Sequence, residues 1–258
     1  MIFFGSDFDG TLRRDGAVTR EDKDAIARFR RRGHRFGVVT GRTYDVIIDL
    51  LDQYGLPYDI LICNNGAAAF TPDGRQLFAH QMPVEGAREV AAYFHGVDLI
   101  AYGLSDGRSI STGPYKGHSV LYEDCARDTL DESALLDAGR VCGFFSVYRS
   151  HQDMLEAAQH LTSHFSGFME VHISGLRSID TTPKGISKST GILECRDLLG
   201  CDEIFTIGDA VNDLSMIKDF GGFAVENAQE QVKAAASRVV PSVGAAAEWL
   251  LARAPARP

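Results

Sequence analysis

Apolar positions in the first quarter of the chain alternate between two rhythms. Residues 2–8 form a short apolar run that ends in acids, as a buried strand does. Ala25, Ile26 and Phe29 then recur at helical spacing. Thr19 is placed as their N-cap, with Asp22 at the capping-box position, and Gly33 as the stop. Residues 36–39 read as a second strand. Val46, Ile47, Leu50, Leu51 and Tyr54 form a helical stripe that Thr43 can cap, and Gly55 and Pro57 end it. Residues 60–63 read as a third strand. The order βαβαβ implies a parallel sheet with right-handed crossovers.

The rhythm then changes. Residues 67–70 and 75–79, joined across Asp73-Gly74, predict a hairpin. From 83 to about 175 the pattern is mixed: helices over 85–94 and 151–164, strands near 99–103, 108–111, 143–148 and 167–172, and weak periodicity over 112–139. Regular alternation returns with helices over 185–199, 214–220, 229–236 and 243–251 and strands over 203–207, 222–225 and 238–240, before a Pro- and Arg-bearing tail at 252–258. The expected fold is α/β. Residues 1–81 and 179–258 form a Rossmann-like parallel-sheet core, and 82–178 an inserted, smaller α+β cap domain. The joins fall near 81–83 and 174–180.

Bulk properties narrow the classes. The 258 residues are 45% hydrophobic and 24% charged, enough to bury a core without disulfide staples. The formal charge is −9 and no basic run dominates, which argues against nucleic acid as a partner. Arg28, Arg30, Arg31 and Arg32 read as the solvated end of a helix. Five cysteines, an odd number with no CxxC pair, suit a reducing compartment. The opening residues do not read as a signal peptide and no stretch is apolar enough to span a membrane, so a cytoplasmic address is expected.

Four short motifs fall at strand carboxyl ends or helix N-termini of the same expected core. Asp7-Phe8-Asp9-Gly10-Thr11-Leu12 follows the first strand. Residues two apart on a strand point the same way, so Asp7 and Asp9 can face one site, where a hard divalent cation or a proton would relieve their repulsion. An Asp-Gly turn fits those residues equally well. Gly208-Asp209-Ala210-Val211-Asn212-Asp213 follows another strand and opens a helix, placing Asp209 to hold a metal, or else to cap. Thr40-Gly41-Arg42 offers a hydroxyl, a free N–H and a guanidinium to phosphate oxygens, though a turn with an N-cap reads as well. Lys188, in the first turn of a helix, is unfavourable there unless it meets an anion, a solvated surface lysine being the plainer reading. No motif decides alone. Their convergence on one rim of one sheet does.

In this order the four motifs resemble those of the haloacid dehalogenase superfamily, and more narrowly its Cof-type (subclass IIB) phosphatases, whose cap lies between the second and third motifs. Asn65-Gly66-Ala67 is also similar to that subgroup. The resemblance implies Mg2+-dependent hydrolysis of a small phosphate monoester, such as a sugar phosphate, through an aspartyl-phosphate. It implies Asp7 as nucleophile and Asp9 as acid and base. Mg2+ would be held by Asp7, the Asp9 carbonyl and Asp209, with Asp213 behind. Thr40 and Lys188 would hold the phosphoryl group, with Gly41, Arg42, Asn65 and Asn212 assisting. Lys184 is expected at the surface or on substrate. Tyr102, His118, Tyr122, Arg149, His151 and His172 are polar candidates in the cap. A phosphomutase of the same fold, or a phosphosugar-binding regulator, is the alternative. Oligomeric state is left open between monomer and homodimer.

Overall fold

The structure, a computed structural model, describes residues 1–112 and 130–253. Its larger layer is an eight-stranded sheet in the order β13-β12-β11-β1-β2-β3-β4-β5. The six strands β13 (Arg238–Val240), β12 (Phe223–Val225), β11 (Glu203–Gly208), β1 (Ile2–Asp7), β2 (Arg35–Val39) and β3 (Ile60–Cys63) run parallel. The hairpin of β4 (Ala68–Phe70) and β5 (Gln76–Ala79) adds an antiparallel edge.

Alternate residues of β1 serve the two faces. Phe4 packs with Ile26 and Phe29 of α1 (Arg20–Arg31) and with residues of α2 (Tyr44–Tyr54), α8 (Glu230–Ala235) and α9 (Val243–Arg253). Phe3 packs on the other face with Ile192 and Cys195 of α6 (Lys188–Leu199) and Met216 of α7 (Leu214–Phe220). Phe4 meets Phe29, Phe36 and Phe223 edge-on at centroid distances of 5.9, 5.7 and 6.4 Å. Each such pair adds roughly 0.5–1.5 kcal/mol beyond area burial. This three-layer core anchors the strand whose last residue is Asp7.

A second sheet of five antiparallel strands has the order β7-β6-β8-β10-β9. It comprises β6 (Ala101–Ser105), β7 (Ile110–Thr112), β8 (Gly143–Val147), β9 (Met169–Ile173) and β10 (Ser178–Pro183). The helices α3 (Val84–His95), α4 (Glu132–Asp137) and α5 (His151–Phe165) share a separate apolar core with it, built on Val90, Phe94, Tyr102, Leu104, Phe144, Met154 and Leu161. The opposite face of the sheet looks toward the carboxyl ends of β1 and β2.

Three expectations need correction. The stretch 174–180 was read as a join, but β10 begins within it and pairs with β8 and β9, carrying the second sheet to Pro183. The strand was hidden because its core-facing side also carries the polar Thr181, leaving Ile179 alone and erasing the apolar alternation. The helix expected from 185 starts at Lys188: Ser187 caps it by accepting from Thr190 N, and Gly185 stands at φ 79° in a turn. Thr43 precedes α2 but makes no capping bond, and its hydroxyl is buried without a partner. The helix α4 was not anticipated. His118, Tyr122 and Cys125 lie outside the described residues.

Candidate active site

The chain leaves β1 toward β2 and β3 in one direction and later fills β11, β12 and β13 in the other. The switch therefore lies between the carboxyl ends of β1 and β11, where open α/β sheets bind ligands. Asp7 ends β1 and Asp209 follows β11. Gly10 turns the first loop away at φ 87°, and a Cβ there would run into the Asp209 carboxylate, so the two loops meet only because residue 10 is glycine. Thr11 Oγ1 donates to Asp209 Oδ1 at 2.5 Å and locks the loops together.

Lys188 sits at the centre. Its ammonium donates to Asp7 Oδ1 at 2.7 Å and to Asp213 Oδ1 at 2.6 Å, and its side chain is 1% exposed. This excludes the solvated-lysine reading. Asp213 Oδ2 accepts from the backbone N–H groups of Asp209 (2.9 Å) and Ala210 (3.0 Å). Asp213 thus shapes the second loop and fixes the lysine. Carboxylate oxygens of Asp7, Asp209 and Asp213 lie within 4.8 Å of one another.

The charge balance of this cluster is short of cation. Burial raises the Asp7 carboxyl well above its usual range; Lys188 opposes that, and Asp213 and Asp209 reinforce it. Burial, with Asp213 adding, lifts Asp209 to about 6, while the Thr11 hydrogen bond and Lys188 oppose. Lys188 is itself held above its usual range because Asp213 and Asp7 outweigh the cost of burying it. Asp7, Asp209 and Lys188 all hold protons more tightly than usual, as groups do where negative charge is in excess. Three carboxylates against one ammonium leave that excess, and an all-oxygen donor set suits a hard divalent ion such as Mg2+. The residues fit the metal expected from the sequence.

Asp9 faces the same cavity but stands outside this cluster. The expectation that its carboxylate crowds that of Asp7 is replaced by a different balance. Arg42 donates from Nε to Asp9 Oδ2 at 2.6 Å and from Nη2 to Oδ1 at 3.1 Å, and Arg13 Nη1 approaches Oδ1 at 3.4 Å. Arg42, expected on substrate, here grips the candidate acid. Thr40 is buried, and its hydroxyl accepts from Arg42 N at 3.1 Å. Asn65 and Asn212 are linked, Asn212 Nδ2 donating to Asn65 Oδ1 at 3.3 Å. Lys184 pairs with Glu170 at the surface, 3.0 Å away.

A cavity of about 350 Å³ lies above these groups, its floor formed by Asp7, Asp9, Thr40, Gly41, Arg42 and Asn212. Its roof is the second sheet, through Phe145, Ser174, Ser178 and Asp180. None of those roof residues was singled out from the sequence. Of the cap candidates that were, Tyr102 donates to Glu132, Arg149 pairs with Asp98, His151 meets the Leu176 carbonyl and His172 meets Thr182 Oγ1. None of these four lines the cavity.

Comparison with known proteins agrees with this geometry. The family model described as haloacid dehalogenase-like hydrolase matches residues 4–247. The 5-amino-6-(5-phospho-D-ribitylamino)uracil phosphatase YwtE of Bacillus subtilis is 25% identical, over 92% of this chain and 91% of its own. The pyridoxal phosphate phosphatase YbhA of Escherichia coli is 26% identical, over 91% of each. A solved structure described as a subclass IIB sugar phosphatase of the haloacid dehalogenase superfamily superimposes with a TM-score of 0.82 at 21% identity, over 98% of this chain and 99% of that one. Among the described residues no helix is long and apolar enough to cross a membrane. With nearly its whole length matched by one family model, and with all four motif loops meeting at a single sheet rim, the chain belongs to the haloacid dehalogenase-like hydrolases.

Proposed function

We propose that the protein hydrolyses a small phosphate monoester with Mg2+, through a phosphoryl group carried transiently on Asp7. The observation that carries this reading is the Lys188 ammonium suspended between Asp7 and Asp213, with Asp209 beside them. A buried carboxylate held in one orientation beside a fixed ammonium, in a cluster with room for a cation, is a nucleophile placed to meet a phosphate. The similar phosphatases from B. subtilis and E. coli support the same class of substrate.

In this reading the Asp7 carboxylate attacks phosphorus, the bond from phosphorus to the leaving oxygen breaks, and Asp9 delivers a proton to that oxygen. Water then attacks phosphorus, Asp9 takes its proton, and the bond to Asp7 breaks to release phosphate. Lys188 and the Thr40 hydroxyl steady the transferring oxygens. Phosphate entering beneath Arg42 competes for its guanidinium and frees Asp9 to move a proton. Mg2+ would be held by Asp7, Asp209 and the Asp9 carbonyl, with Asp213 behind, and when bound it supplies the positive charge that lets an anionic ester approach anionic aspartates. The second sheet, carried to Pro183 by β10, acts with its helices as the cap that covers the reacting ester and keeps bulk water away.

The test is phosphate release from p-nitrophenyl phosphate and a panel of metabolite esters, with and without EDTA, for the wild type and Asp7→Asn. Activity that EDTA removes and that the substitution abolishes is expected. Wild-type turnover by Asp7→Asn would overturn the reading.

A further inference from the structure

We infer that the cleft between the carboxyl ends of α1 and α9 is a second ligand site, which takes a small anion carried on a flat ring. It lies at the opposite end of the larger sheet from Asp7 and stands apart from the reaction proposed there.

The arginine cluster at the end of α1 leads to it. Arg28, Arg30, Arg31 and Arg32 read in the sequence as the solvated end of a helix. The structure divides them. Arg28 pairs with Glu248 and Arg30 with Asp59. Among the described residues, the side chains of Arg31 and Arg32 have no acid and no hydrogen-bond partner. The helix end does not occupy them. Its last carbonyls accept from backbone N–H groups: those of Arg28 and Phe29 from Arg32 N at 3.2 Å, and that of Arg30 from Gly33 N at 2.9 Å. Both arginines instead line a cavity of about 650 Å³, larger than the one above Asp7. A third guanidinium reaches it from Arg253, the last residue of α9.

Behind these charges the walls are apolar. Ile2 of β1 and Leu250 of α9 are buried, and Phe205 of β11 and Leu251 are half-buried. The Phe205 ring is backed by Phe223, with centroids 6.1 Å apart and planes 11° apart. The Arg253 guanidinium stands 6.0 Å from the Phe205 centroid and 5.4 Å from that of Trp249. Aromatic faces and guanidinium planes both stack on flat rings. The size suits a small molecule with one ring.

The charge of the lining selects the sign of the ligand. Three guanidiniums face one carboxylate, that of Glu203, in a chain whose formal charge is −9. The terminal ammonium of Met1 is already paired with Asp202, and His34 Nδ1 accepts from Ile2 N at 3.2 Å. A phosphate or sulfonate offers the acceptors that Arg31 and Arg32 lack. The carboxyl ends of two helices are poor anion sites by themselves, so the attraction must come from the arginines. Ile2 and Asp7 bound one strand and stand about 17 Å apart along it, so a ligand here does not touch the reacting ester.

The experiment is calorimetric titration of AMP into the wild type and the pair Arg31→Glu with Arg32→Glu, in EDTA so that metal-dependent turnover is absent. Adenosine and inorganic phosphate are titrated as the two halves of the probe. The wild type should bind AMP at least ~10-fold more tightly than either half. The paired substitution should weaken AMP about 30-fold or more and adenosine less than about 3-fold. With Mg2+ restored, its kcat/KM on p-nitrophenyl phosphate should stay within about 2-fold of wild type, because the two sites share no side chain. Phe205→Ala should weaken AMP about 5-fold and phosphate less than about 2-fold. Arg31→Ala with Arg32→Ala carries the test if the charge-reversed protein fails to fold. AMP that binds both pairs as tightly as wild type is held elsewhere and would overturn the inference. Binding and turnover lost together in both pairs would overturn it too. So would failure of AMP, FMN and 8-anilinonaphthalene-1-sulfonate alike to bind the wild type below about 1 mM.

Discussion

The floor and the roof of the cavity are built on opposite principles. The floor concentrates charge: Asp7, Lys188 and Asp213 are almost fully buried, each fixed by at least one charged hydrogen bond, at a strand end, a helix start and a loop of the larger core. The roof carries Asp180 as its one ionisable group among the described lining residues, set among hydroxyls and an aromatic ring. Buried charge in fixed geometry is what phosphoryl transfer requires whatever the alcohol. Half-exposed neutral groups on a separate sheet are what can vary without disturbing that chemistry. On the proposed reading, the reaction and the choice of substrate reside in different layers.

The sharpest way to break the contrast is at the floor. Asp7→Asn keeps the shape but removes the proposed nucleophile, and kcat should fall on the order of 10³-fold or more on every ester alike. A loss confined to some esters would mean that the floor also chooses. Next is Lys188→Met, which leaves Asp7 and Asp213 buried without their ammonium. Removing one partner of a buried ion pair costs about 3–5 kcal/mol, so denaturant unfolding should show a loss of that order together with a large fall in activity. An unchanged unfolding midpoint would show that the cluster does not need the lysine's charge.

A smaller effect is expected at the margin between the layers. Arg42 and Asp9 are about one-third exposed, so Arg42→Ala should cost no more than about 1 kcal/mol of stability. Its activity should fall roughly 10-fold, because Asp9 loses the group that orients it. A stability loss with unchanged activity would reduce Arg42 to packing.

The roof contributes an effect on stability against pH rather than on turnover. Burial depresses the His172 imidazole to about 4, with Glu170 opposing and Lys188 adding. Between about 6.5 and 4 the unfolded chain binds a proton that the folded chain does not, so stability is full above that window and declines as pH falls through it. The half-buried position limits the decline to about 2 kcal/mol, and His172→Gln should flatten it when melting temperature is followed against pH. Parallel curves for the two proteins would remove His172 from the account.

Most of the floor was legible in the sequence because strand ends and helix starts announce themselves. An apolar run such as Ile2 to Phe4 followed by Asp7 places side chains to within a residue, whereas the cap at Ser187 was missed and its helix was expected from 185. Which partner each side chain takes was not legible. The pairing of Arg42 with Asp9 and of Lys188 with Asp213 depends on loops far apart in the chain. The roof was hardest. A strand such as Ser178-Ile179-Asp180-Thr181-Thr182-Pro183 with one face on a polar cavity has no apolar alternation to mark it, and Asp180 is one acid among many until the fold sets it beside Asn65.

The covalent step on Asp7 is tested most directly with Asp9→Asn and p-nitrophenyl phosphate in Mg2+. The good leaving group needs little protonation, while loss of the Asp9 base slows release of the phosphoryl group. After acid quench and proteolysis, mass spectrometry should find the added phosphate on the peptide carrying Asp7, at that residue. Steady release of p-nitrophenol with no phosphate on Asp7, or with phosphate on any other side chain, would contradict the mechanism.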